Sequence, residues 1–299
     1  MRKNKLILGY LLVIASAMLY GSMGFLATLI YKEGVTPFSL VFLRNLLSLP
    51  MLAIAALITK KSLKINMRAL PSIGGIAVIG CCITPLLLYI AYTDIDTGIS
   101  TIFHFAYPAV VIVLSLIFLK TKFKWANLIS LVLCLVGICT IYIFTPSENP
   151  IGILGSALSI ISGITYAIYI IGLSVFKYKE ITGFVFNFYG ASCCTVVSLI
   201  ACLCSGNMKF PTSTKGWLLC ILFALICNVG AVVLFQSGTR IIGGERAAIL
   251  SAFEPITGII LGIAFLSESA GWNTIVGSLL VIVSCVLIAV FDMKGKKQE

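Results

Sequence analysis

Apolar residues fill this chain in ten long runs, near 6–31, 37–58, 70–92, 97–119, 124–144, 151–173, 182–205, 215–239, 245–266 and 271–291. A helix needs about 20 apolar residues to cross a bilayer, so each run is expected to be a membrane-spanning helix. Lipid offers backbone N–H and C=O groups no partners, which leaves helices as the spanning element for runs of this length. The connections are short, the largest running from Thr59 to Ala69, and leave no room for a sizeable soluble domain. Hydrophobic residues make up 60% of the chain and charged ones 10%. A soluble domain carries about 25% charged residues. The expected fold class is an all-α polytopic membrane protein with ten transmembrane helices.

The net charge of +11 invites a nucleic-acid reading, but the basic residues sit in short loops and at the termini, with no basic face or interleaved aromatic platform. They fit the rule that Lys and Arg stay on the cytoplasmic side. With the N-terminus inside, seventeen Lys and Arg fall on the cytoplasmic side against three outside (Lys32, Lys209 and Lys215), with Arg44 within a span. Both termini are therefore expected in the cytoplasm, in a multi-pass protein of the cytoplasmic membrane. The basic start Met1–Lys5 before an apolar run looks like a signal peptide, but a run reaching Ile30 is too long for one. It is read as an uncleaved first helix. The eleven Cys lie mostly inside apolar runs and form no C-x-x-C pair, so they are read as packing residues rather than zinc ligands or disulfides.

Residues 93–144 overlay residues 240–291 without a gap, each position 147 further on. Pro108 falls on Pro255, Phe118-Leu119 on Phe265-Leu266, Trp125 on Trp272 and Phe144 on Phe291. Loop charge inverts across the overlay. Acidic Thr93–Thr97 meets basic Arg240–Gly244, and basic Lys120–Lys124 meets acidic Ser267–Gly271. The first spans match less cleanly, Ser16–Tyr20 on Ser162–Tyr166 and Phe38/Phe42 on Phe184/Phe188. Five spans per unit, an odd number, would thread the second unit upside down. That is the inverted repeat of secondary transporters, and it divides the chain into five-helix units 1–148 and 149–299.

The stretch Ile249–Pro255, then Leu266-Ser267-Glu268, then Gly277–Ile282 resembles the drug/metabolite transporter superfamily, specifically its EamA-type ten-span members. The cognate Tyr107-Pro108 and Phe118-Leu119, and Arg44 within Phe42–Asn45, belong to the same likeness. Thr121 departs from it, standing where such proteins often have a glutamate. The resemblance implies a substrate cavity between the halves, alternating access and, by analogy, export. It names no solute.

Ionisable groups at lipid depth are costly, about 2.5–3.5 kcal/mol each on insertion scales. Three lie well inside spans. Glu254, nine residues from a helix start at Glu245, sits about 13 Å deep and could take a proton or a cationic substrate. It could equally lock helices beside the Pro255 kink with Arg44 as partner. Arg44, about 10 Å from the outer end of its helix, could fork onto a substrate carboxylate, snorkel, or neutralise Glu254. His104 reads as a hydrogen-bonded packing residue or a proton relay. Pro108 and Pro255 each remove a backbone hydrogen bond, and helix breaks at matching depth point to a central binding region. Tyr20, Tyr89, Tyr107, Tyr166, Asn228 and Gln236, with Tyr169, Asn45, Asn187 and Tyr189, are the other polar or aromatic residues of spans. A third to a half of them should face the cavity. Gly258–Gly262 has the GxxxG spacing, suited to internal packing or to a homodimer.

No P-loop is present, and no cofactor or metal is expected. A membrane-embedded enzyme would need clustered His, Asp or Cys ligands or a nucleophile–base pair. A channel or passive scaffold is the other alternative. The expected function is secondary transport of a small organic metabolite or drug, with coupling to protons through Glu254 open. Expected partners are a small-molecule substrate and the lipid bilayer, not nucleic acid.

Overall fold

The computed structural model describes residues 2–58, 63–120, 125–144, 151–178, 181, 183–242, 247 and 250–295. Every regular element among them is helical: α1 (Arg2–Gly21), α2 (Met23–Tyr31), α3 (Pro37–Ile58), a 3₁₀ turn (Met67–Ala69), α4 (Leu70–Ala77), α5 (Thr84–Ala91), α6 (Thr97–His104), α7 (Tyr107–Phe118), α8 (Trp125–Ile143), α9 (Ile153–Ser174), α10 (Gly183–Ser205), α11 (Thr214–Phe223), α12 (Ala231–Ile242), α13 (Phe253–Leu266) and α14 (Trp272–Gly295). Seven stretches are long and apolar enough to cross a membrane, namely Lys5–Tyr31, Pro37–Ile58, Met67–Ala91, Thr97–Phe118, Ile153–Ser174, Gly183–Ser205 and Thr214–Thr239. Leu128–Ile143, Phe253–Leu266 and Trp272–Leu287 are shorter apolar helices. The chain is a multi-pass membrane protein. The basic residues Lys60, Lys61, Lys122, Lys124, Lys179, Arg246, Lys296 and Lys297, together with Thr121 and the helix start at Glu245, lie outside the described residues.

Several rods are interrupted. Ser22 separates α1 from α2, Phe105-Ala106 separate α6 from α7, and Ser251-Ala252 form a turn before α13. Two π-helical stretches, Val78–Ile83 and Ala224–Gly230, join α4 to α5 and α11 to α12. Such insertions concentrate at functional sites. The first has a local cause. Pro85 lacks the N–H an α-helix needs in its interior, and the Thr84 hydroxyl donates to the Ile79 carbonyl at 2.8 Å to satisfy the widened turn.

Pairing joins distant parts of the chain. α1 packs on α12 and α13, α9 on α5 and α7, α3 on α10, and α8 on α14. Small residues set the closest approaches, as is usual for helices in lipid. A Cβ on Gly238 would meet the Gly9 carbonyl, and Gly137 and Gly277 each face the other's carbonyl. Gly258 of the GxxxG pair packs internally, beside the Gly21 carbonyl and Thr101.

The two ends of the bundle gather the loops that alternate along the sequence. At one end Ser213 Oγ donates to Glu33 at 2.6 Å, and Lys215 pairs with the same carboxylate at 3.3 Å. These contacts, Ser213's hydrogen bond foremost, hold the Glu33 carboxyl below its usual pKa. Thr36 and Ser39 donate to the Asn207 carbonyl, and Lys209 N donates to Ser39 Oγ. Asp94 accepts from Gly155 N at 2.7 Å, capping α9. Glu268 accepts from Thr97 N (2.7 Å), Thr97 Oγ1 (2.6 Å) and Gly98 N (3.1 Å), so a carboxylate closes the positive end of α6. Burial, then the Glu268 charge, raises the pKa of neighbouring Asp96. At the other end the hydroxyls of Tyr178 and Tyr189 donate to the carbonyls of Arg68 and Leu63.

Glu268→Ala strands three donors at the start of α6. Charge-assisted hydrogen bonds are worth about 1.5–3 kcal/mol, so the variant should lose stability on that order, with Glu268→Gln intermediate. Thermal unfolding in detergent micelles measures both, and wild-type stability for the Ala variant would show the cap to be dispensable.

Candidate functional site

A cavity of about 540 Å³ lies at the centre of the bundle, a size typical of sites for small organic ligands. Its walls come from both halves of the chain. Tyr20, Arg44, Cys81, Thr84, Thr101, His104 and Tyr107 face it from the first, and Tyr166, Tyr169, Asn187, Asn228, Gln236 and Glu254 from the second. It opens beside the interruptions described above, with Gly80 and Cys81 in one π stretch, Cys227 and Asn228 in the other, and Tyr107 and Ser251 at the turns.

One wall is aromatic. Tyr107 meets Tyr166 edge to face with ring centroids 4.8 Å apart, and Tyr166 stacks on Tyr169 at 5.6 Å. His104 lies 5.8 Å from Tyr107 and 5.4 Å from Tyr166. Gly80 makes this possible, because a Cβ there would overlap the Tyr169 ring. Gly163 likewise lets α9 approach the carbonyl of His104, the group four residues before Pro108. A line of hydroxyls on α9 fixes the neighbouring helices: Ser159 bonds Ser100 at 2.7 Å, Ser162 bonds His104 Nδ1 at 2.8 Å, and Thr165 bonds Thr84 at 2.7 Å. His104 is thus both a hydrogen-bonded packing residue and part of the cavity wall.

Arg44 and Glu254 do not pair. Among the described residues Arg44 meets no carboxylate within ion-pair distance. Its Nη1 donates to the Tyr89 hydroxyl, its guanidinium carbon lies 5.7 Å from the centroid of that ring, and its Nε is buried without a partner. Asn228 Nδ2 donates to the Arg44 carbonyl at 3.1 Å, tying α3 to the second π stretch. Glu254 sits in the first turn of α13, and its carboxyl makes no hydrogen bond or ion pair with the described residues. It lines the cavity together with Tyr20, Tyr107 and Tyr166. The helix-locking contact with Arg44 offered by the sequence is therefore absent.

Three further expectations change. Tyr89 does not line the cavity. It is fully buried, accepts from Arg44, offers its carbonyl to the Tyr31 hydroxyl and packs edge-on against Phe223. Pro108 and Pro255 do not line it either. Each occupies the first turn of the second half-helix, where a missing N–H costs little, and the turns before them make the breaks. Tyr189 reaches Leu63 at one end of the bundle instead. Tyr20, Tyr107, Tyr166, Asn228 and Gln236 do face the cavity, as do Tyr169, Asn45 and Asn187. Ser16, Ser48, Thr84, Tyr92, Thr101 and Ser251 also line it without having stood out in the sequence. Among the described residues no His, Cys, Asp and Glu cluster could hold a metal ion.

With cavity and bundle in view, comparison with known proteins gives the class. The model of the EamA-like transporter family matches residues 7–143 and again residues 153–290. The chain belongs to the EamA-like transporter family. It is 22% identical over 297 residues to an uncharacterized transporter of Clostridium kluyveri, covering 93% of this chain and 92% of that one. It is 24% identical over 255 residues to the uncharacterized transporter YcbK of Bacillus subtilis, covering 83% and 81%. A solved crystal structure with 12% identity superposes with a TM-score of 0.63 over 96% of this chain and 98% of its own, a likeness of fold alone.

Tyr89→Phe removes the acceptor of a buried guanidinium and leaves a second N–H unpaired. A stranded buried partner costs about 1–3 kcal/mol, more when charged. The variant should unfold at a lower temperature than wild type, and an unchanged melting curve would show that Arg44 finds another acceptor.

Proposed function

We propose that the chain is a secondary transporter that carries a small organic solute through the central cavity by alternating access, in the direction of export by analogy with the family. The observation that carries this reading is a cavity walled by both halves of the chain and holding a carboxyl, Glu254, with no partner among the described residues. A carboxyl so placed can hold either a proton or a cationic group, which is what coupling requires. Glu254 is the proposed coupling residue. Arg44, His104, Tyr20, Tyr107, Tyr166, Asn228 and Gln236 are proposed to face the solute.

The proposed architecture is ten spans in two five-helix units, 1–148 and 149–299, threaded in opposite senses. One family model matching twice along the chain supports it. The helix pairing supports it as well. In this numbering of spans, α1 is the first of its unit and α9 the first of the other, and each packs on the third-span or fourth-span helix of the opposite unit. The second spans, α3 and α10, meet each other, and so do the fifth, α8 and α14. A two-fold axis in the membrane plane produces that pattern. The excess of Lys and Arg in the sequence segments that alternate with Lys32, Lys209 and Lys215 supports a cytoplasmic location for both termini.

Two experiments test these readings. Glu254→Gln keeps the shape and removes the charge, and solute counterflow in proteoliposomes should fall at least about tenfold, the effect of about 1.4 kcal/mol. Undiminished exchange at equal protein level retires Glu254. Lys209→Cys and Lys64→Cys, each in a cysteine-free background, should react with an impermeant maleimide from outside and inside the cell respectively. Labelling of both from one side overturns the threading.

A further inference from the structure

The cavity holds a guanidinium and a carboxyl group that do not pair with each other. Arg44, 8% exposed, has an orphaned Nε, and among the described residues its guanidinium hydrogen-bonds only to the neutral Tyr89 hydroxyl. The carboxyl of Glu254 has no cation near it among the described residues. Both side chains face the same chamber. A charge kept away from water is stabilised only when paired and hydrogen-bonded, and two opposite charges in one small space would ordinarily relax into an ion pair. Here the fold prevents that. Arg44 is anchored through Tyr89, itself held by Tyr31 and Phe223. Glu254 is fixed at the start of α13, where a Cβ on Gly21 would strike its carbonyl. The separation is therefore built into the helices.

Each charge also has its own surroundings. Glu254 shares the cavity wall with Tyr20, Tyr107 and Tyr166, and aromatic rings around a carboxylate suit an organic ammonium. The guanidinium of Arg44 supplies donors for an oxyanion. A cation alone would leave the Arg44 guanidinium uncompensated, and an anion alone would leave the Glu254 carboxyl without the cation that lets it ionise.

We propose that the solute is an organic zwitterion with an aromatic or apolar body, its ammonium group at Glu254 among the tyrosines and its anionic group at Arg44. This rests on the transporter reading of the same cavity and names the class of solute it takes.

The test is a binding titration by thermal stabilisation of the purified full chain, which requires no transport. The probes are two zwitterions of different charge spacing, L-phenylalanine and 4-(aminomethyl)benzoic acid. Each is compared with its methyl ester, which keeps only the cation, and its N-acetyl derivative, which keeps only the anion. At least one parent should stabilise the protein, with both of its blocked forms weaker by about tenfold or more. In Glu254→Gln that parent should lose its advantage over the N-acetyl form, and in Arg44→Met over the ester. If a variant does not fold, the derivative series on the unmodified chain decides by itself. Blocked forms that bind as well as their parents overturn the proposal, and so does failure of both parents to bind at millimolar concentration. Counterflow of the same probes separates the two readings. Binding without saturable exchange sinks the carrier and keeps the site, whereas exchange of a singly charged probe without zwitterion binding does the reverse.

Discussion

A helix interrupted inside a membrane must find new partners for every backbone group the interruption frees, because lipid supplies none. The rest of this structure follows from where that demand is met. The turns at Phe105-Ala106 and Ser251-Ala252 and the two π stretches lie against other helices or the cavity. Glycines at the approaching helices carry the consequence. Gly163 comes close to the carbonyl of His104, and Gly21 to that of Glu254. The cavity is thus the place where broken helices are affordable, and the residues that line it are those the breaks turn inward.

The same demand explains the polar residues that do no more than hold helices together. Ser159, Ser162 and Thr165 follow one face of α9 at helical spacing, and each bonds a side chain on α5 or α6. Such bonds fix rotation and register between helices that apolar contact alone would leave free to slide. His104 gains its orientation from this line, and through it the aromatic wall gains its own.

How far the sequence revealed this depended on the physical rarity of each signal. Arg44, His104 and Glu254 stood out because full or potential charges are scarce at lipid depth, and all three face the cavity. Phenols are less informative. Tyr89 and Tyr107 look alike in the chain, and only packing turns one onto Arg44 and the other into the cavity. Ser48 and Thr101 were silent because a hydroxyl in a helix satisfies itself on a carbonyl one turn back, Asn45 and Thr97 here. The π stretches left one local trace, Thr84-Pro85, since an apolar run reads the same whether a turn holds 3.6 residues or more. Each proline stands in the first turn after an interruption, where its missing N–H costs little.

The pair α8 and α14 shows what the cavity does without. Neither contributes a lining residue, although their mutual packing is the most extensive in the bundle. Gly137 and Gly277 bring their backbones together, and Asn273 Nδ2 donates across the seam to the Ile141 carbonyl at 3.2 Å. Their outward faces carry Leu128, Val132, Leu135, Ile275 and Leu279 exposed to the surroundings, as lipid-facing helices should. They reach the rest of the bundle through α6 and α7. A tight, glycine-seamed pair at the edge turns no polar group into the cavity. It does have the stiffness to brace the broken helices beside it, so the fold divides its labour between helices that stay whole at the rim and helices that are interrupted at the centre.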